Sequence, residues 1–287
     1  MLKTGIHLRK RKFQRSILLN CSIKIIFLGN FHVYEVIEND NLIYIYMNNI
    51  IMKSFELIKL LESYVSPVFS LADISKITGH KRSYVKVFLS RAVNSGLLVR
   101  VERNRYVLKD TNPLLVASNI VFPSYISFIS ALSYYNLTLQ MPNVIYVVCL
   151  RRRRSIGYSG YLIKFVKFGN KVFFGYKREV LEGKFMFIAE VEKAILDSLR
   201  LPRYCPLSET FYAIKNAELD MDKLFDYARR MSSQVVIRRL GYLLELAGYD
   251  ASGLVMKFKG YSPLNPQLPP VGRRDEKWKL IINEVLE

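Results

Sequence analysis

The sequence predicts a mixed α+β chain: an N-terminal winged helix-turn-helix followed by a larger mixed α/β domain with a helical C-terminal half. Three patterns support this. Between residues 54 and 108, apolar positions recur at helical spacing and then give way to two short extended runs around a polar turn. Between 113 and 199, apolar strands alternate with helical stretches. From 208 to 247 the periodicity is helical. A length of 287 residues accommodates two domains, and 51% hydrophobic residues supply packed cores, which excludes disorder over the whole chain. The divisions read from the pattern are 1–51, 52–110 and 111–287.

Residues 1–51 differ in character from the rest. They open on a basic run, Arg9-Lys10-Arg11-Lys12, and continue through Ile- and Asn-rich sequence such as Asn41 to Ile51. Ile17 to Leu28 has the apolar character of a signal peptide, but Lys24 interrupts it and no small-residue cleavage site follows. The stretch also falls short of the roughly 20 apolar residues that a membrane span needs. Met52-Lys53-Ser54-Phe55 stands directly before the first strong helical pattern, so residues 1–51 read as sequence upstream of a natural start.

The next segment carries the clearest signal. Phe55, Ile58 and Leu61 mark a helix from Ser54 to Tyr64, which Pro67 stops. Ser70 is a natural cap for a helix over Leu71 to Thr78, and Gly79 supplies the turn into the next. In that third helix, Lys81 to Asn94, Val85, Phe88, Leu89 and Ala92 form one buried stripe. The opposite face carries Lys81, Arg82, Ser83, Lys86 and Ser90, with Tyr84 and Arg91 at its flanks. Long cations, hydroxyls and an aromatic ring so grouped suit the base edges and phosphates of a DNA major groove. Gly96 ends the helix. Leu97 to Val101 and Arg105 to Leu108 then form a hairpin, the wing, with Glu102 to Asn104 as its turn. Arg103, Asn104 and Arg105 are placed there to meet the flanking backbone.

From Pro113 the pattern changes. Pro123-Ser124 starts a helix through Leu137 with Tyr125, Phe128, Ile129 and Leu132 inward. Val144 to Leu150 is a strand, followed abruptly by Arg151, Arg152, Arg153 and Arg154. Tyr161 to Phe168, Lys171 to Tyr176 and Phe185 to Ile188 read as further strands, the last feeding a helix from Ala189 to Leu199. Helices near 208–217, 222–231 and 234–247 follow.

The charge balance is basic: 43 Lys+Arg against 24 Asp+Glu, +19 overall, and 36 against 21, or +15, once 1–51 are set aside. Such an excess draws polyanions. The Arg151–Arg154 run makes a candidate phosphate contact beside the wing. Three scattered cysteines (Cys21, Cys149, Cys205) and three histidines (His7, His32, His80) show no ligand spacing, so neither a metal site nor a disulfide framework is expected. Reduced cysteines fit a cytoplasmic protein. No catalytic residues and no cofactor are assigned. Asp275-Glu276-Lys277 and Glu182-Gly183-Lys184 match the nuclease D/E-x-K triplet, but neither has a preceding acidic partner on a strand, and no phosphate-binding or dinucleotide fingerprint is present. The Glu190, Glu192, Lys193 cluster reads as a helix start favoured by the helix dipole.

Taken together, residues 79–108 (GHKRSYVKVFLSRAVNSGLLVRVERNRYVL), 124–137 (SYISFISALSYYNL), 143–148 (NVIYVV), 187–199 (FIAEVEKAILDSL), 238–248 (RRLGYLLELAG) and the closing 262–283 resemble the AbiEi-type antitoxins of type IV toxin–antitoxin systems, in the family's order. The N-terminal extension departs from that family. The resemblance implies a repressor that binds inverted repeats in double-stranded DNA ahead of its own operon. It also implies a C-terminal domain that counteracts a nucleotidyltransferase-type toxin. The DNA-contacting role carries over to Arg82, Ser83, Lys86, Arg103 and Arg105. Two alternatives stay open: a DNA-processing enzyme of the restriction type with this reader as its targeting module, and a ligand-responsive transcription factor.

Overall fold

A computed structural model of the chain describes residues 22–28, 31–37 and 56–286, and over them the fold is mixed α+β. The chain divides into two compact units, Met1–Ser63 and Tyr64–Glu287. In the first, β1 (Ser22–Leu28) and β2 (Phe31–Ile37) pair antiparallel, and helix α1 covers 56–63. The expected natural start at Met52 and the start of this helix at Ser54 lie outside the described residues.

The second unit opens with β3 (Val68–Phe69), α2 (Leu71–Thr78), α3 (Arg82–Asn94), β4 (Leu98–Glu102) and β5 (Arg105–Leu108). The three strands form one antiparallel sheet in the order β3-β5-β4. The sequence grouped residues 54–64 with this segment, whereas compactness divides the chain after Ser63 and leaves 64–110 and 111–287 in one unit.

Next come α4 (Pro113–Asn119), β6 (Ser124–Ile126), α5 (Phe128–Tyr134), β7 (Val144–Cys149), β8 (Ile156–Tyr158), β9 (Tyr161–Lys167), β10 (Tyr176–Leu181) and β11 (Lys184–Ala189). Six of these strands form a mixed sheet, β10-β11-β6-β7-β9-β8, in which β11–β6 and β7–β9 are parallel. Four helices follow: α6 (Val191–Arg200), α7 (Leu207–Asn216), α8 (Met221–Arg230) and α9 (Gln234–Leu246). A small sheet of β12 (Ser262–Pro263), β13 (Arg273–Asp275) and β14 (Leu280–Ile282) closes the chain.

Three expectations need correction. The helix expected from Pro123 to Leu137 is two elements: Ser124–Ile126 is a strand between β11 and β7, and the helix begins at Phe128. Tyr125, Phe128, Ile129 and Leu132 are all buried as expected, so the apolar spacing is real but does not fix the backbone. The strand expected over Lys171 to Tyr176 is a 3-10 turn at Asn170–Val172, and β10 starts only at Tyr176. Phe173 and Phe174 instead direct their rings onto Tyr125 and Tyr227. Finally, α4, β8 and the closing sheet have no counterpart among the elements expected from the sequence.

Helix α6 is the centre of the second unit, lying against α5, α7, α8 and α9. Lys193 and Asp197, one helical turn apart, are fully buried and ion-paired. Asp197 also accepts from Ser127 Oγ at 2.8 Å and from Tyr125 OH at 3.3 Å. The Lys193 ammonium lies 5.1, 5.3 and 5.7 Å from the ring centres of Phe174, Phe168 and Tyr125. Burial pulls Lys193 below the ordinary lysine range and lifts Asp197 above the carboxylate range, and their mutual attraction opposes both. At the helix start, Glu190 and Glu192 hold Lys223 of α8 at 3.5 and 3.0 Å, and Tyr227 donates to Glu190 at 2.6 Å. The acids read as a favourable helix start therefore also fasten α8.

The C-terminal sheet is fixed to α9 in a different way. Trp278 is fully buried, donates from Nε1 to Glu245 at 2.9 Å, and lies directly over Gly241. A Cβ on Gly241 would stand 2.1 to 2.4 Å from its ring atoms, so only glycine admits the tryptophan. Next to it, Arg239 donates to the carbonyls of Leu199 and Pro263 at 2.7 and 3.2 Å, and burial pushes its guanidinium down to about 10.

Two outcomes follow. Gly241→Ala overpacks the Trp278 seat and lowers stability by about 3 kcal/mol, read from the midpoint of a denaturant titration; an unchanged midpoint would show that the ring moves freely. Lys193→Met alone leaves a buried carboxylate without its cation and costs about 3–5 kcal/mol, whereas Lys193→Met combined with Asp197→Asn costs clearly less. Additive losses in the double variant would mean that the two side chains do not act as a pair.

Candidate nucleic-acid interface

The segment from Ser70 to Leu108 builds one outward surface, and each joint in it has a local cause. Ser70 Oγ accepts from the Asp73 amide at 3.1 Å while Asp73 Oδ2 accepts from the Ser70 amide at 2.8 Å, a reciprocal cap that fixes the start of α2. Gly79 takes φ 68°, a left-handed conformation that ends α2 and turns the chain toward α3. The turn is held by Ser75 Oγ donating to the His80 carbonyl at 2.7 Å. In α3 the buried side chains are Val85, Phe88, Leu89 and Ala92, the stripe expected from the sequence. Lys81, Arg82, Ser83, Tyr84, Lys86, Ser90 and Arg91 are all exposed. Tyr84 lies against His80, with ring centres 4.5 Å apart and the ring planes tilted by 52°.

The hairpin is tied back to these helices. Leu97 N donates to the Ala92 carbonyl at 2.9 Å, so β4 leaves α3 at a fixed angle. The turn between β4 and β5 is Arg103-Asn104, one residue shorter than expected because Glu102 remains in the strand. Asn104 takes φ 58°, which asparagine tolerates better than most residues. Its Oδ1 accepts from the Leu71 amide at 3.0 Å, satisfying one of the open N–H groups at the start of α2. Asn104, read as a DNA contact, thus has a bracing role within the protein. Arg103 is exposed at the tip and Arg105 half-buried.

Charge on this surface is one-sided. From Lys81 to Lys109 there are eight cations (Lys81, Arg82, Lys86, Arg91, Arg100, Arg103, Arg105, Lys109) and one acid, Glu102. Among the described residues none of the eight is ion-paired. The acid is paired, with a residue from the arginine run: Arg153 Nη2 lies 2.8 and 2.7 Å from the two Glu102 carboxylate oxygens. Arg153 also lies over the Phe165 ring at 5.3 Å. The run therefore stands beside the hairpin, with Arg153 spent on Glu102 and with Arg151, Arg152 and Arg154 exposed. Neighbouring β8 lies against β4, and Tyr158 OH donates to the Thr111 carbonyl at 2.9 Å.

Sequence reasoning passed over three features. Val87 is 49% exposed on the outward face of α3, although its place opposite the stripe could have been read from the helical period. Arg100 and Lys109 add charge in and beside the hairpin. The partner of Glu102 could not be read at all, because 51 residues separate it from Arg153.

The D/E-x-K triplets are engaged in contacts within the protein. Asp275 accepts from the Trp278 amide, Glu276 pairs with Lys279, Lys277 with Glu245, Glu182 accepts from Asn112 and Lys184 donates to the Tyr64 carbonyl. Among the described residues no group of three or more His, Cys, Asp and Glu side chains gathers as a metal cluster would, and no helix is long and apolar enough to cross a membrane. Cys149 and Cys205 are buried and unbridged.

The Glu102–Arg153 pair is about a quarter exposed on each side, which limits its strength. A double-mutant cycle over Glu102→Ala and Arg153→Ala yields a coupling of about 0.5–1 kcal/mol that shrinks in high salt. A coupling of zero at low salt would mean that the pair does not fasten the loop to the hairpin. No protein-family model matches the chain, and comparison with curated proteins finds no relative.

Proposed function

We propose that this chain is a sequence-specific DNA-binding repressor of its own operon and an antitoxin that counteracts a nucleotidyltransferase-type toxin, its reader a winged helix-turn-helix within residues 52–110. The observation that carries the DNA half is the outward surface of α3 and the hairpin. It combines hydroxyls and an aromatic ring with cations that, among the described residues, have no carboxylate partner, on a helix whose other face is buried. An α-helix fits the major groove of B-DNA, where side chains reach base edges and cations on either side reach phosphates. Arg82, Ser83, Lys86 and Ser90 take the groove, Lys81, Tyr84 and Arg91 its margins, and Arg103 and Arg105 the adjoining backbone.

The arginine run extends this surface. Arg153 neutralises Glu102, and Arg151, Arg152 and Arg154 remain exposed and open to phosphates. The antitoxin half rests on the resemblance of residues 124–137, 143–148, 187–199, 238–248 and 262–283 to the AbiEi-type proteins. The reading takes the protein to act in the cytoplasm, without a cofactor and without catalysis of its own.

Fluorescence anisotropy on the DNA upstream of the gene, against scrambled DNA and across a salt series, tests the first half. The upstream DNA binds more tightly, and Arg82→Ala weakens that binding about tenfold and narrows the preference. Replacing Arg151, Arg152 and Arg154 by alanine weakens both DNAs alike and lowers the salt slope by about one for each phosphate that an arginine had neutralised. Equal binding to both DNAs by the native chain would overturn the repressor reading. Co-expression with a nucleotidyltransferase-type toxin encoded beside it tests the second half: growth is restored by the native chain, and failure of that rescue would overturn the antitoxin reading.

A further inference from the structure

The outward face of α3 has an internal order. Each residue of an α-helix turns by about 100°, so the side chains directly opposite the buried stripe of Val85, Phe88, Leu89 and Ala92 are Ser83, Val87, Ser90 and Asn94. All four are exposed, Val87 to 49%. Arg82 and Lys86 lie to one side of this strip, Tyr84 and Arg91 to the other. Two cations thus flank the strip on one side, one cation and a tyrosine on the other, and the axis between them is short, uncharged and partly apolar.

A major groove has the complementary cross-section. Its floor is the edges of the bases and its two walls are phosphate backbones. A helix laid in it with this face down sets the axial strip against the middle of the floor, with Arg82 and Lys86 on one side of it and Tyr84 and Arg91 on the other. Serine hydroxyls both donate and accept, so Ser83 and Ser90 accommodate any base pair with little discrimination. Val87 offers only methyl groups. The one apolar group on the groove edge of a base pair is the 5-methyl of thymine.

On the reading that α3 enters the major groove, we propose that Val87 is a specificity-determining residue that packs on a thymine methyl, so that the target carries a required thymine at its centre of contact. A valine left half-exposed between two hydroxyls then gains an apolar partner only on DNA that presents a methyl there. Burying one methyl group is worth about a fourfold change in affinity.

The test uses the full chain. Duplexes are selected from a random-sequence pool, and each thymine of the enriched sequence is then replaced singly by deoxyuridine, which removes the methyl and nothing else. Binding is read by anisotropy at fixed salt. The expected result is one thymine per recognition unit whose replacement weakens the native chain about fourfold, while Val87→Ala, which lacks both γ-methyls, shows a clearly smaller difference between the thymine and uracil duplexes. Alanine is well tolerated at an exposed helical site, and an unchanged thermal melt certifies the variant. An enriched sequence that is indifferent to every uracil replacement, or a Val87→Ala chain with undiminished uracil sensitivity, overturns the role of Val87 and leaves the DNA reading in place. A pool that yields no enriched sequence overturns both.

Discussion

Helix α6 is buried on all sides, and the charged groups it carries must be satisfied inside the protein. Lys193 and Asp197 achieve this together: the ammonium meets one carboxylate oxygen, three aromatic rings surround it, and Ser127 and Tyr125 donate to the other oxygen of Asp197. Neither partner is tolerable alone in such a setting, because desolvation of one unpaired charge exceeds what its hydrogen bonds return. The arrangement ties three parts of the chain to one point. Tyr125 comes from β6, Ser127 from the entry to α5, and Phe168 and Phe174 from the segment between β9 and β10. The central sheet and the helical half are joined there.

The small sheet that carries the β4–β5 hairpin shares a continuous apolar core with that body through Val68 and Val107, and a weaker polar tie is added at its edge. Glu102 and Arg153 are partly solvated, and their pairing is open to salt. Its consequence is chiefly electrostatic. The pairing cancels the one acid between Lys81 and Lys109, a stretch with eight cations, and brings the arginine run beside the hairpin. On the proposed DNA reading, a cationic field of this kind supplies attraction to the backbone, while discrimination falls to the α3 side chains that reach base edges. The strong joint thus holds the body together, and the weak one orients charge.

Much of the candidate surface could be read directly from the sequence. The α3 stripe, its Gly96 stop, the Ser70 cap and the Gly79 turn depend on periodicity and on residue types with strong local preferences, which act over a few positions. The strands of the sheet were less legible. Tyr125 to Leu132 has helical spacing because a strand and a helix in succession both happen to be buried, and a strand covered on both faces shows no alternation. β10, with Lys177, Arg178 and Glu179 in its middle, lacks the apolar character that marks a strand, yet it pairs along its whole length with β11.

By itself, then, the sequence determined the elements from α2 to β5, the mixed class and the basic outward face of α3, since these follow from the preferences of neighbouring residues. Only the tertiary structure decided the rest. It placed Arg153 on Glu102, Lys193 and Asp197 beside Tyr125, Trp278 over Gly241, and Asn104 on the Leu71 amide. All four contacts rest on where distant segments of the chain come to lie, and two of them serve charges that a sequence reading assigns to solvent. Burial and pairing are properties of the folded neighbourhood, and no local pattern encodes which partner will be found there.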